Sequence, residues 1–419
     1  MFALLLDILS IPALLVGLIV FLGLILQKKP SQDVILGTFK SILGFVVLGG
    51  GATILVASLN PFGEMFQEAF ALQGIVPNNE AIVALSLKEY GSSTALIMFF
   101  GMVVNILIAR FTPFKYIFLT GHHTFYMAAM IAVILISMGL NGTLLIASGA
   151  LTLGAAMVFF PAISYSAMQK ITNNQNIAMA HFGTLGYVLS AGIGKIFGKH
   201  SPSTESLNLP KNLGFLRDST VMIALTMGVL YIIVAISAGQ NFVETNLSNG
   251  QNYIVFAIMQ GITFSAGIYI ILMGVRLLLA EIVPAFKGIS EKVVKNAKPA
   301  LDCPVVFTYS PNAVIIGFIF SFLGGLIGLF VLGLLNWTLI LPGVVPHFFT
   351  GATAAVFGNA TGGRRGAMLG ALANGLLITF LPIALLPVLG DFGFANTTFS
   401  DSDFAVVGII LGLINNIIH

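Results

Sequence analysis

The sequence predicts an all-α polytopic membrane protein built as an inverted repeat, with about 10–12 transmembrane helices plus re-entrant segments. Three observations carry this reading. Hydrophobic residues make up 57% of the 419 and charged residues 8%, with a mean hydropathy of +1.01, against roughly 25% charged in soluble domains. Apolar runs recur from end to end, each long enough for the ~20 residues that a crossing needs. Lys and Arg come in clusters separated by connections without either, and a glycine–phenylalanine–proline pattern returns about 220 residues later. A bilayer offers the backbone no water, so each apolar segment must satisfy its own N–H and C=O groups as a helix.

The first run, from Phe2 to Lys29, lacks a basic leader and a small-x-small cleavage site, so it reads as a retained span rather than a signal peptide. Basic residues then fall at Lys28/Lys29/Lys40, Arg110/Lys115, Lys170, Lys195 to Arg217, Lys287 to Lys298 and Arg364/Arg365. The connections 58–79, 137–144, 238–252, 333–341 and 388–403 hold no Lys or Arg. Positive residues stay on the cytoplasmic side. The N-terminus is therefore expected outside, with five spans before Lys170. The next segment, NIAMAHFGTLGYVLSAGIGKIFGK, starts and ends inside, so it reads as a re-entrant hairpin broken at Gly183, Gly186, Gly192 and Gly194. The polar stretch 199–218 is the expected cytoplasmic linker between two halves, 1–198 and 219–419.

The halves echo each other. GALTLGAAMVFFPAI from Gly149 matches GALANGLLITFLPIA from Gly370, SSTALIMFFG from Ser92 resembles PNAVIIGFIF from Pro311, and the stretch from Gly44 more weakly echoes that from Gly261. Combined with the lysine pattern, matched spans run in opposite directions. Inverted repeats are a recurrent plan of secondary transporters, with substrate held where broken helices meet. That favours transport over catalysis or reception. The chain has no G-x-S-x-G, paired-carboxylate or H-E-x-x-H arrangement, no basic stripe interleaved with aromatics for nucleic acid, and one cysteine. No catalytic residue, metal site or cofactor is expected.

Ionisable residues in apolar segments are rare and usually mark a pathway. Asp302, in PALDCPVVFTYSPNAV, could accept substrate hydroxyls; alternatively it caps a helix or pairs with Lys298. Helix N-termini following Ser93 and Pro311 offer N–H groups to an anionic moiety. His122 and His181 are candidate site residues. His123 is a weaker one, since adjacent helix positions point about 100° apart, and His347 is open between site and packing. Cys303 reads as a small buried residue, Arg276 and Glu281 as a structural ion pair, and Arg364 and Arg365 as interfacial. Glu64, Glu68 and Glu80 read as an outer vestibule or a solvated loop.

The stretches GTFKSILGFVVLGGGATIL, LTGHHTF, GVRLLLAEIVPAFKGIS, ALDCPVVFTYSPNAVIIGF and LPGVVPHFFTGATAAVFGNATGG resemble the membrane-embedded IIC component of the ascorbate-type phosphotransferase system (PTS), nearly end to end. The resemblance implies a homodimer in the lipid of a bacterial inner membrane, with about eleven crossings split into a V-shaped dimerisation domain and a core domain that moves as a rigid body. It implies uptake of L-ascorbate and its phosphorylation by a separate EIIB, recharged by EIIA, with no chemistry on this chain. His122, His181 and Asp302 match the family's substrate-contacting positions and Gly51 a backbone contact. Two positions depart, Tyr126 and Phe182 standing where the ascorbate pattern has glutamines. The substrate is then L-ascorbate or a related small sugar acid, with an ion- or proton-coupled transporter as the alternative.

Overall fold

The computed structural model describes residues 11–71, 74–207, 219–280, 290, 292–390 and 397–418. The first ten residues, the linker part 208–218, and 281–289 with Glu281 lie outside them. The chain forms helices α1 (Pro12–Leu26), α2 (Ser31–Phe70), α3 (Asn79–Phe111), α4 (Gly121–Ser137), α5 (Gly142–Ile171) and α6 (Thr184–Phe197) in the first half. Helices α7 (Ser219–Ala238), α8 (Gln240–Asn246), α9 (Tyr253–Leu279), α10 (Pro304–Phe307), α11 (Pro311–Leu334), α12 (Val344–Leu385) and α13 (Ser402–Ile418) follow. By length and apolarity, six helices could cross a membrane, or up to seven if α7 and α8, bent by 103° at their junction, count as one. Four shorter apolar helices lie within α1, α4, α6 and α13; the expected crossings, about 10–12, compare with the six or seven among the described residues. This is a multi-pass membrane protein.

The helices pack in two groups. In one, α2 lies against α9, flanked by α1 and α7; in the other, α12 packs on α11 and α6, and α3 on α4 and α5. The α2–α9 crossing depends on bare backbone. A Cβ on Gly51 would lie 2.7 Å from the Ile271 nitrogen, and one on Gly274 2.5 Å from that of Leu48. Gly51 is thus a helix-packing position.

Six short strands stand before six helix starts: β1 (Gly74–Pro77), β2 (Tyr116–Phe118), β3 (Ala178–Met179), β4 (Lys298–Leu301), β5 (Leu339–Ile340) and β6 (Thr397–Thr398). They form two parallel sheets of order β5-β1-β6 and β2-β4-β3. Each sheet takes its central strand from one half of the chain and both edges from the other. The strands give partners to backbone groups that an apolar interior would leave unsatisfied. Equivalent elements follow at nearly constant separation: β1 and β4 begin 224 residues apart, β2 and β5 223, β3 and β6 219. Helix α12 spans the equivalents of both α4 and α5, with its break at Gly362 and Gly363, the latter at φ 55°.

Three expectations change here. Gly186, Gly192 and Gly194 do not break the re-entrant segment, which is continuous helix α6; Gly186 and Gly194 instead admit α12, with Asn374 and the Gly358 carbonyl too close for a Cβ. Ser93 starts no helix, because α3 runs through it, and it lines a separate apolar cavity with Phe100, Leu107 and Leu145. The α11 start beyond Pro311 is already occupied: the linker's Glu205 accepts from the Asn312 and Ala313 N–H groups at 3.1 and 3.2 Å. Arg364 likewise holds the linker, donating to Ser206 Oγ at 2.8 Å and to the Ser203 carbonyl.

Candidate functional site

A cavity of about 330 Å³ opens between the two sheets. Its walls come mainly from the turns that lead from strand to helix, and Leu272, Val275 and Arg276 of α9 close it from the other helix group. The sequence candidates His122, His123, Tyr126, His181, Asp302 and Cys303 line it together.

After β4 the chain turns at Asp302, whose Oδ1 accepts the Cys303 N–H at 2.7 Å. Its Oδ2 lies 3.5 Å from His122 Nε2, both side chains about 31% exposed. The expected partner Lys298 sits elsewhere, its Nζ 4.0 Å from the Tyr165 ring centre and 5.3 Å from that of Tyr116. His122 and His123 both reach the cavity because they occupy the first turn of α4, where the helix end rather than one helix face meets the opening. The His123 and His181 rings lie 3.8 Å apart between centres.

Hydrogen bonds fix both rings. His123 Nδ1 accepts the Phe182 N–H at 3.4 Å, which leaves the proton of the neutral ring on Nε2. His181 Nδ1 pairs with the Tyr187 hydroxyl at 2.7 Å. The re-entrant tip is held from the far half of the chain. Asp403 accepts the Thr184 and Leu185 N–H groups at 2.8 and 2.9 Å, and its own N–H donates to the Phe182 carbonyl.

The two departures from the ascorbate pattern separate here. Tyr126 lines the cavity, whereas Phe182 is fully buried among Phe118, Phe160, His123 and Phe404 and is not part of the lining. His347 is buried away from the cavity against α11, with Nδ1 2.9 Å from Ser321 Oγ, so it is a packing residue. Cys303 is buried at the cavity wall. Burial, then the adjacent Asp302 carboxylate, pushes its thiol well above the ordinary range, which suits a packed thiol and not a nucleophile.

Of the polar lining residues, Asn79 and Asp401 escaped sequence reasoning, and Glu80 was read there only as part of an outer vestibule or a solvated loop; Asn79 and Glu80 open α3, and Asp401 precedes α13. Glu80 Oε2 and the Tyr126 hydroxyl are buried without a hydrogen-bond partner among the described residues. Ser400 Oγ donates to Asp401 Oδ1 at 2.8 Å. One ligand atom each of His123, His181 and Asp401 lie within 4.8 Å of one another, as do those of His122, His123 and Asp302. Such sets could hold a cation, although the protonated Nε2 of neutral His123 is a donor and not a ligand. As a chemical surface the cavity offers carboxylates to accept hydroxyls, imidazoles to donate or accept, and apolar walls at Val345, Pro346 and Phe349.

A family model described as the sugar-specific permease component of the PTS, EIIC-GAT, matches residues 7–403. An ascorbate-specific PTS EIIC component of Mycoplasma pneumoniae is 26% identical over 412 aligned residues, covering 85% of this chain. The match spans 62% of that relative's length.

Proposed function

Because the chain belongs to the EIIC-GAT family of PTS sugar-specific permease components, we propose that it binds a small hydroxylated substrate in this cavity and carries it across a bacterial inner membrane. A separate EIIB, recharged by EIIA, phosphorylates the substrate on the inner side, and this chain performs no phosphoryl transfer. The observation that carries the reading is that the cavity lies where the two helix groups meet. Asp302, His122, His123 and His181 come from one group, and α9 of the other closes the opening. Movement of the first group, as a core domain, against α1, α2, α7 and α9 would expose the cavity to one side and then the other. The recurring strand–helix order supports reading 1–198 and 219–419 as inverted halves joined by 199–218, with the N-terminus outside. Homodimerisation through the second group is part of the same reading.

L-ascorbate or a related small sugar acid is the substrate that the name of the relative supports. The test is uptake of labelled L-ascorbate, beside other sugars, by cells expressing the chain with and without EIIB and EIIA. Accumulation of a phosphorylated product only with both partners is expected. Uptake that ignores them but collapses with the proton gradient would replace this reading with a proton-coupled transporter.

A further inference from the structure

The pairing of β3 with β4 fixes which side chains meet in one part of the cavity wall. The strands run parallel with Met179 opposite Leu301, and the Ala180 N–H donates to the Leu301 carbonyl at 2.7 Å. His181 and Cys303 each stand two residues beyond that pair and Asp302 one, so a strand spacing of about 4.8 Å sets them side by side. One ligand atom each of His181, Asp302 and Cys303 lie within 4.8 Å of one another. The two sets that include His123 carry a ring nitrogen held as a donor; this one does not. The Tyr187 hydroxyl accepts as readily as it donates, and with His181 Nδ1 donating to it, the Nε2 lone pair is left for a metal.

We propose that His181, Asp302 and Cys303 form a zinc site in the cavity wall, and that a bound Zn²⁺ shuts the permease by occupying Asp302 and His181. The inhibitory half of this inference rests on the cavity being the substrate site; the metal site does not. Zn²⁺ accepts thiolate, imidazole and carboxylate ligands together in a four-coordinate site, whereas Mg²⁺ and Ca²⁺ want oxygen alone. One thiolate and one carboxylate neutralise the ion. The complex therefore brings no net charge into a wall where His181 and Cys303 are 3% and 1% exposed. A thiol that keeps its proton in the metal-free protein is no obstacle, because a coordinating thiol loses it outright. Tyr187 orients His181 as a metal-bound imidazole requires of the partner on its other nitrogen. Asp302 is partly exposed in the cavity, which gives the ion its way in and leaves the fourth position open to water.

Cys303 is the one cysteine of the chain, so a thiolate-to-metal charge-transfer band reports on this site alone. The test is titration of the purified full-length protein with Co²⁺, a spectroscopic stand-in for Zn²⁺, followed by displacement with Zn²⁺. It is repeated on Cys303→Ser, His181→Gln, Asp302→Asn and Tyr187→Phe. A band that saturates at one Co²⁺ per chain and is abolished by Zn²⁺ is expected. Cys303→Ser should lose the band, and the other three should keep it with affinity lowered at least about tenfold. Zn²⁺ should raise the thermal denaturation temperature of the wild type and not that of Cys303→Ser, whatever the stability of that variant. No band in the wild type, or His181→Gln and Asp302→Asn that bind as tightly as the wild type, overturns the site. Binding of L-ascorbate and D-sorbitol is then measured with Zn²⁺ at about ten times its Kd. A probe bound by the metal-free protein should bind about tenfold more weakly, as mutual exclusion requires. Equal affinity overturns the inhibitory role while the band upholds the metal site. Failure of both probes to bind the metal-free protein counts against the cavity reading and removes the inhibitory role with it, the metal site again standing on its band.

Discussion

On one side of the cavity, the turns after β2, β3 and β4 present His122, His123, His181 and Asp302; on the other, those after β1, β5 and β6 present Asn79 and Glu80, Val345 and Pro346, and Asp401. The backbone plan is the same and the chemistry is not. On the first side the polar groups are tied together, His122 to Asp302, His123 to the Phe182 N–H, and His181 to Tyr187. The second leaves Glu80 Oε2 without a partner among the described residues and replaces the histidine pair by proline and valine. The shared strand-to-helix turn fixes where side chains arrive, while the residues of each turn decide what arrives. The result is a cavity with two different ends, which can hold an unsymmetrical substrate in one orientation.

The comparison breaks most sharply at Phe182. Its ring lies in the aromatic core behind the first side, so Phe182→Ala should destabilise the protein by about 3–5 kcal/mol, read as a fall in thermal denaturation temperature in detergent. Loss of affinity without loss of stability would instead put that ring in the cavity. Asp302→Asn comes next, removing the charged acceptor on the first side. Binding should weaken by about 1.5–3 kcal/mol in calorimetry, with the denaturation temperature nearly unchanged. Tyr126→Phe sharpens the contrast between the two departures: its unpartnered hydroxyl contributes nothing to folding, so affinity should fall by about 0.5–1.5 kcal/mol while stability holds or rises. Ser321→Ala should have the smallest effect on the site. It removes the bond to His347, for about 0.5–1.5 kcal/mol of stability, and leaves the binding isotherm unmoved.

The first side was legible in the sequence because its residues sit in recognisable strings, LTGHHTF and ALDCPVVFTYSPN. An aspartate or histidine in an apolar run stands out by its desolvation alone. Glu80 and Asp401 fell in polar connections, where an acidic residue is unremarkable, and only the short parallel strands turn those connections back into the protein. Two- to four-residue strands leave no periodicity to read. The helices were legible, since apolar length survives in one dimension. The roles of the glycines in α6 were not. A glycine that admits Asn374 and one that breaks a helix look alike until the neighbouring helix is in place.

The most direct test of the central claim, that this cavity is where the substrate binds, is one set of calorimetric isotherms for D-sorbitol and L-ascorbate with wild type, Asp302→Asn and Ser321→Ala. Binding of at least one of the two by the wild type, weakened by about 1.5–3 kcal/mol in Asp302→Asn and kept in Ser321→Ala, is the predicted result. Equal affinity in all three would contradict the claim, because a substrate indifferent to Asp302 is not bound between the two sheets.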